Sequence, residues 1–582
     1  MDGSGMARAV GEDAVAAIAP ESGMFARLDP ASFGNSLLAV ARRAARNPYA
    51  ASGAFWQFGM ALARIGPEAA VRWSGRVTGD NTRAGNGKDA GAVTALAKDK
   101  RFADPAWRDN PAFFALGQAY LAAVELTGDL LAAGRGEPVA DAKARLAADV
   151  ILAALAPTNY LPTNPAALKR AFETGGASVV AGARNFLDDV RNHNGMPRQV
   201  DTRPFEIGRN MAATPGQVVF RNDLMELIQY APQTAAVRSV PVLASPPWIN
   251  KYYIMDLAPG RSFLEWAITH ERTVFAISYR NPDPDMSDVT LDDYLVHGPQ
   301  TALDVITDIT GAPKIDIVGL CLGGTLTGML AAYLAGAGDD RLGSITLLNT
   351  LLDYSEPGVL GAFTDEQTVS RLERQMEEQG ILEGKQMATT FDALRPNDLI
   401  FNYVVSNWLL GQDPPAFDIL AWNSDNTRMP AAMHSFYLRS LYLANELARG
   451  VLEIKGRRLS LADVTSDAYV VGAINDHIVP WPASYKTTGL LGGEVRYVLS
   501  SGGHIAGIVN PPGPKAWYEV AKPPNPVTAN QWREAAEHHG GSWWEDWARW
   551  AGRRAGRRTD PPPMGSARYP AIGDAPGSYV HG

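Results

Sequence analysis

Apolar positions fall into two different patterns along the chain. Up to about residue 205, Ala- and Leu-rich segments such as 111–133 and 140–156 place apolar side chains at helical spacing, with few β-branched runs. This predicts a helical N-terminal domain, whose plainest role is packing and assembly. A Pro/Arg-rich stretch from Met196-Pro197-Arg198 to Pro204 marks its end. From there, short β-branched apolar runs recur at 237–243, 273–278, 314–320, 344–348, 468–473 and 496–499, most followed by helical or turn signals. That alternation predicts a largely parallel sheet covered on both faces. Between about 351 and 464 no such run appears, and the aromatic, proline-punctuated text at 401–422 and 436–446 predicts a cap or lid inserted over the sheet. Near the end, Trp543, Trp544, Trp547 and Trp550 predict a packed helix, and the pairs Arg553-Arg554 and Arg557-Arg558 a solvated helix end or linker. The expected division is therefore 1–205 for the helical domain and 206–582 for the sheet domain with its insertion.

Composition narrows the class without naming an activity. With 46% hydrophobic and 20% charged residues, the 582-residue chain has ample material for a large core. A net charge of −9 speaks against nucleic-acid binding. The single cysteine, Cys321, excludes an intrachain disulfide and any cysteine-rich zinc site, so no metal site is expected and a reduced cytoplasmic setting fits better than secretion. The start, Met1-Asp2-Gly3-Ser4-Gly5, shows no basic region leading into an apolar run, so no signal peptide is expected. The charge-free stretch 317–338 is long enough to cross a bilayer. Gly319, Gly323, Gly324, Gly328, Gly336 and Gly338 interrupt it, and a buried strand, a tight turn and a core helix account for it better.

The chemistry concentrates in that stretch. Lys314-Ile315-Asp316-Ile317-Val318-Gly319-Leu320-Cys321-Leu322-Gly323-Gly324 is an apolar strand running into Gly-x-Cys-x-Gly-Gly and then a helix-like segment. It has the form of the nucleophile elbow of an α/β-hydrolase fold, with cysteine in place of serine. Such a turn strains its central residue, the flanking glycines let strand and helix approach, and the helix N-terminus favours a thiolate. The backbone N–H of Leu322 would face the oxyanion. The plainer alternative is a buried, inert cysteine in a Gly-rich turn. The fold also orders its partners as nucleophile, acid, histidine. Val470-Val471-Gly472-Ala473-Ile474-Asn475-Asp476-His477 ends a strand in an acid, and Leu499-Ser500-Ser501-Gly502-Gly503-His504 ends the next in a histidine. Asp476 and His504 are therefore the expected partners of Cys321. His477 reads as loop structure, and His270, His434, His538 and His539 as solvated or packed side chains.

Further motifs give a resemblance. These are Pro246-Pro247-Trp248-Ile249-Asn250-Lys251-Tyr252-Tyr253-Ile254-Met255-Asp256-Leu257, Ser278-Tyr279-Arg280-Asn281-Pro282, Asn402-Tyr403-Val404-Val405, Phe417-Asp418-Ile419-Leu420-Ala421-Trp422-Asn423, Asp476-His477-Ile478-Val479-Pro480-Trp481, Gly503-His504-Ile505-Ala506-Gly507, and His538-His539-Gly540 with Ser542-Trp543-Trp544. With the elbow, they make the sequence resemble a polyhydroxyalkanoate (poly-3-hydroxybutyrate) synthase of class I, closely from Pro204 onward and in outline before it. Gly503 departs from the pattern, since the family usually has serine before the histidine.

The resemblance implies polymerisation of (R)-3-hydroxyacyl-CoA, expected to be short-chain, with release of CoA and no resident cofactor. His504 would deprotonate Cys321, whose thiolate takes the acyl group as a thioester. Asp476 would orient and polarise His504 for activation of the next 3-hydroxyl. A second oxyanion donor would come from the loop after 237–243, the N–H of Ile249 or Asn250. The implied partners are the growing polymer, the storage-granule surface with its associated proteins, and a second copy of the chain, in the cytoplasm. The single thiol bears on the last of these. Chain growth needs a loading and a holding site, so either a second protomer supplies the other thiol or one intermediate is held noncovalently. The alternatives are a medium-chain synthase and a Cys-nucleophile hydrolase or thioesterase, which would release free acid.

Overall fold

Eleven strands hydrogen-bond into one mixed sheet in the computed structural model, which describes residues 30–78, 99–521 and 528–582. In chain order they are β1 (Gly216–Arg221), β2 (Met225–Tyr230), β3 (Val242–Ser245), β4 (Val274–Tyr279), β5 (Ile315–Leu320), β6 (Leu342–Leu348), β7 (Ala468–Ala473), β8 (Val495–Ser500), β9 (Trp517–Val520), β10 (Glu537–Gly540) and β11 (Gly573–Asp574). Across the sheet the order is β10-β9-β8-β7-β6-β5-β3-β4-β2-β1-β11. The centre, from β8 to β4, is parallel, and β4, β5 and β7 are buried along their whole length, as parallel strands covered on both faces must be. The flanking strands pair antiparallel. This is the α/β-hydrolase architecture expected from the sequence.

The edges were not visible in the hydrophobic pattern. β1 and β2 interleave buried Glu226 and Gln229 with apolar residues, and Glu226 is satisfied from outside the strand by the amides of Ser578 and Tyr579, both at 2.9 Å. β10 carries no apolar residue and is held by ring contacts, Trp517 against His538 at 5.1 Å and Tyr518 against His539 at 5.0 Å. The run 237–243 also divides. Pro241 interrupts it, leaving Val237–Arg238 paired with Arg558–Thr559 while β3 begins at Val242. Of the C-terminal arginines, Arg554 is half-buried and pairs with Asp467 at 2.7 Å, whereas Arg553, Arg557 and Arg558 are exposed as expected, Arg558 pairing with Glu271 at the surface.

The chain divides into two compact units, the sheet unit Thr202–Ala388 with Ala416–Gly582, and a helical unit of the described residues up to Asp201 with Thr389–Pro415. The helical unit contains α1 (Pro30–Ala45), α2 (Pro48–Thr78), α3 (Pro111–Ala133), α4 (Pro138–Ala154) and α5 (Ala177–Asn192). Asn110 caps α3 and Glu137 caps α4, each followed by proline at the first helical position, where no N–H is missed. Residues 389–415, read in the sequence as part of the cap, pack with these helices. Trp408 Nε1 donates to Asp189 at 2.8 Å, its ring lies 5.0 Å from Phe186, Asn407 Nδ2 donates to the Arg198 carbonyl at 2.7 Å, and Gln199 Nε2 donates to the Leu399 carbonyl at 2.7 Å.

In the sheet unit, the charge-free stretch resolves into β5 and α6 (Leu322–Ala337), with Cys321 at the turn between them. Among the described residues, no helix is long and apolar enough to cross a membrane.

Candidate active site

Cys321 has φ 51° and ψ −117°, a left-handed conformation that costs a non-glycine residue about 1–3 kcal/mol and persists only where the surroundings over-determine it. Here they do. The Cys321 amide donates to the Leu348 carbonyl of β6 at 2.8 Å, while its own carbonyl accepts from Gly324 at 3.0 Å and Thr325 at 3.1 Å, opening α6. The flanking glycines are dictated by space. A Cβ on Gly323 would lie 2.1 Å from the Ser245 carbonyl oxygen, one on Gly324 1.9 Å from Thr350 Oγ1, and one on Gly319 2.5 Å from the Gly324 Cα. The turn leaves Cys321 partly exposed at the N-terminus of a sixteen-residue helix, whose positive end favours a thiolate. Leu322 is the first residue of that helix, so its N–H has no partner within it.

Asp476 follows β7 and His504 follows β8, and the parallel pairing of these strands brings the two loops together. His504 Nδ1 and Asp476 Oδ2 are 2.7 Å apart, both residues buried. The other Asp476 oxygen accepts from the amides of Ile478 at 2.9 Å and Val479 at 2.8 Å, which fixes the carboxylate. The histidine loop is held from beneath. Asn349 Nδ2 donates to the His504 carbonyl, Trp543 Nε1 to the Gly507 carbonyl at 2.7 Å, and Trp544 Nε1 to the Ile508 carbonyl at 2.9 Å. The C-terminal tryptophans, on α7 (Trp543–Gly552), thus brace the loop that carries the histidine.

Burial alone would lower the imidazole pKa, but the Asp476 carboxylate and the nearby Cys321 sulfur outweigh it and hold His504 well above its ordinary value. With Nδ1 engaged by Asp476, Nε2 is the nitrogen left for the thiol. The three residues named from sequence meet in one place. Such a group can accept a proton from sulfur and return it to a leaving group.

Ile249 and Asn250 lie in the loop after β3. Pro246 in that loop rests against Gly323, and Asn250 forms a β-bridge with Asn426. Aromatic side chains to which sequence reasoning gave no individual role stand around the elbow. Trp248 packs against Tyr294 and Tyr437, and Tyr354 against Tyr437 and Tyr442. The sequence signal for Tyr354, Tyr437 and Tyr442 is the aromatic density of the cap, whereas Trp248 lies in the motif 246–257. His434 is buried and packed against Tyr437, and burial takes its pKa down to about 4. Among the described residues, the grouping with metal-ligand spacing is Asp188, Asp189 and His193, in the helical unit. Its carboxylates are already engaged by Arg198, at 3.3 and 3.0 Å.

Fold and site together define an α/β-hydrolase-fold protein whose elbow carries cysteine beside a histidine–aspartate pair. Comparison with known proteins agrees and narrows the class. A family model described as "Poly-beta-hydroxybutyrate polymerase (PhaC) N-terminus" matches residues 98–267, and one described as "alpha/beta hydrolase fold" matches 252–511. The chain is 40% identical over 529 residues to the "Poly(3-hydroxyalkanoate) polymerase" of Methylorubrum extorquens, covering 89% of this chain and 86% of that one. It is 42% identical over 498 residues to the "Poly(3-hydroxyalkanoate) polymerase subunit PhaC" of Cupriavidus necator, covering 84% of each. It is also 42% identical over 488 residues to "Poly(3-hydroxyalkanoate) polymerase 2" of Ectopseudomonas oleovorans, covering 83% of this chain and 86% of that one. The chain belongs to the poly(3-hydroxyalkanoate) polymerase family.

Proposed function

We propose that the protein polymerises (R)-3-hydroxyacyl-CoA into polyhydroxyalkanoate through a thioester on Cys321, with short-chain units preferred as in class I synthases. The observation that carries this reading is the strained elbow cysteine beside the His504–Asp476 pair, in a chain whose relatives bear polymerase names. His504 Nε2 takes the thiol proton as sulfur attacks the acyl carbonyl. The oxyanion is received by the N–H groups of Leu322 and Ile249, the carbon–sulfur bond to CoA breaks, and His504 protonates the departing thiolate. The next 3-hydroxyl then gives its proton to His504 and attacks the acyl group, forming an ester and freeing Cys321. Cysteine suits this exchange because the stored acyl group remains an activated thioester. CoA is a leaving group here, with no resident cofactor in the scheme.

One thiol per chain supports a second protomer as the holder of the growing polymer, or a noncovalent intermediate. The exposed apolar side chains of the helical unit support assembly and contact with a polymer granule in the cytoplasm. The test is CoA release from four-carbon against eight- to ten-carbon (R)-3-hydroxyacyl-CoA, with the product extracted into solvent and sized. Polymer and faster release from the four-carbon substrate are expected. Free 3-hydroxyacid as the sole product would make the chain a thioesterase, and preference for the longer substrate a medium-chain synthase.

A further inference from the structure

Three tyrosines of the cap stand at the elbow with no part in the chemistry above. Tyr437 and Tyr442 lie on the segment Tyr437–Leu443, whose turns are π-helical. Five residues apart on an α-helix, they would point roughly 140° from one another. An i→i+5 turn brings such a pair to one side, and π turns often mark functional sites. Here the rings meet edge to face with centroids 5.2 Å apart, and Tyr437 Oη donates to Tyr442 Oη at 3.2 Å. Tyr354 packs on both, at 6.4 and 4.8 Å, and its Oη lies 3.0 Å from Thr325 Oγ1. Thr325 in turn donates its amide to the Cys321 carbonyl. A continuous set of contacts thus joins the nucleophile turn to the tyrosine cluster.

Within the cluster Tyr442 is set apart. Tyr354 and Tyr437 are buried, whereas Tyr442 remains partly exposed. Its oxygen accepts from Tyr437, which leaves its own hydroxyl hydrogen to donate. Burial first, then the charge on Cys321, pushes the Tyr442 phenol up and keeps it protonated, although the bond from Tyr437 works the other way. The surrounding wall is aromatic, so this hydroxyl is a polar point in an apolar lining.

We propose that Tyr442 is a specificity-determining residue whose hydroxyl donates to the 3-oxygen of the acyl group carried by Cys321, with Tyr437 and Tyr354 as its positioning residues. This rests on the reading that Cys321 takes up a 3-hydroxyacyl group. The thioester carbonyl has backbone donors at the elbow, so the remaining polar atom of the acyl unit is the 3-oxygen, two carbons beyond the carbonyl. That atom is a hydroxyl in the incoming monomer and an ester oxygen in the chain, an acceptor in both. A site built to pair a substrate hydroxyl discriminates strongly against the analogue lacking it.

The test measures kcat/KM for release of the first CoA from (R)-3-hydroxybutyryl-CoA and from butyryl-CoA, in the parent and in Tyr442→Phe. One hydrogen bond of ordinary strength corresponds to a fall of roughly 2- to 13-fold in the ratio of the two constants, through loss on the hydroxylated substrate. Tyr437→Phe, which frees Tyr442 to rotate, should lower the ratio less and chiefly through KM. A Tyr442→Phe enzyme slowed by the same factor on both substrates, or not slowed at all, overturns the assignment. Should that variant not fold, the parent with 3-methoxybutyryl-CoA decides. Its 3-oxygen accepts but cannot donate, so acylation well above the butyryl rate is expected, and acylation at the butyryl rate overturns the proposal. A parent enzyme that releases no CoA from any of the three would instead sink the proposed function, and this assignment with it.

Discussion

Along α2 of the helical unit, Tyr49, Trp56 and Trp73 are 90%, 72% and 67% exposed, whereas β4, β5 and β7 of the sheet unit are covered from end to end. Among the described residues, the large hydrophobic side chains left exposed belong to the helical unit except for Phe417, Val451 and Ile572. The difference follows from what each unit must hold. A cysteine at φ 51° stays there only if the strand before it, the helix after it and the loop beneath Gly323 have nowhere else to go. In the helical unit the non-glycine residue described at positive φ is Asn194, a type that tolerates that region, and the small core around Phe102, Trp107 and Phe114 leaves apolar surface outside. Rigid burial supports the chemistry, and incomplete burial supports the proposed assembly.

The largest expected effect separates chemistry from folding inside the sheet unit. Cys321→Ala removes the proposed nucleophile, so CoA release should fall to background. The side chain is partly exposed and alanine bears the same positive-φ cost, so the melting temperature should stay within about 1–2 °C, a shift that corresponds to about 1 kcal/mol for a unit of this size. CoA release persisting in this variant would break the assignment of Cys321 and, with it, the contrast drawn between the units.

Asp476→Asn comes next. The thiol can still be acylated once, so a burst of CoA should precede turnover slowed by about 100-fold or more. The substitution also removes the carboxylate that opposes burial at His504, so the imidazole titration, followed by NMR, should move to lower pH. The sign for stability follows from linkage. An imidazole whose pKa is raised by folding contributes its full stabilisation below the unfolded value of about 6.5 and loses it as pH rises through the folded value. The melting difference between parent and Asp476→Asn should therefore be widest below pH 6.5 and narrow above it. A difference that widens with rising pH would mean that the pair does not hold a proton in the native state.

Removing residues 1–203 probes the other side of the comparison and is expected to act more mildly. It strips residues 389–415 of their partners, because Trp408 bonds Asp189, Asn407 bonds Arg198, and the Trp408 carbonyl lies where a Cβ on Gly182 would sit, 1.9 Å away. Limited proteolysis should then cut within 389–415. Replacing that segment with a short linker should restore resistance and the first CoA burst, while polymer yield stays roughly tenfold below the parent, an estimate taken from the loss of an assembly surface. Polymer at the parent rate from the double deletion would show that the helical unit has no role in elongation.

Much of the sheet unit was readable beforehand because parallel central strands are continuous β-branched runs and the elbow is a contiguous motif. Cys321, Asp476 and His504 could each be named from the strand that precedes them. The edge strands were hidden by residues such as Glu226 and His538, whose partners are distant in sequence. The membership of 389–415 in the helical unit was hidden for the same reason, since its polar contacts reach back about two hundred residues. Tyr442 was unreadable because its position depends on a π turn, and no periodicity in the sequence announces one.

The smallest expected effect is at Gly503, beside the histidine. Of the glycines in this loop, Gly502 has φ 103° and a Cβ there would sit 2.9 Å from the Gly507 amide, while a Cβ on Gly507 would lie 2.6 Å from Ala473 Cβ. Both are required by the backbone or by close approach. Gly503 is not in the left-handed region, and its Cβ would lie 3.5 Å from the Asn475 carbonyl oxygen, an ordinary contact. Serine there should therefore be accepted, and the loss of backbone freedom in the unfolded chain should stabilise the protein by about 0.4–1 kcal/mol. We expect Gly503→Ser to raise the denaturation midpoint slightly and to leave CoA release within about twofold, since His504 is positioned by Asp476 and by the Asn349 bond to its carbonyl. Gly502→Ser is the control and should be destabilised by about 1–3 kcal/mol through its positive φ. A tenfold loss of turnover in Gly503→Ser at unchanged stability would show that the loop, and not the contacts beneath it, sets the angle at which the imidazole meets Cys321.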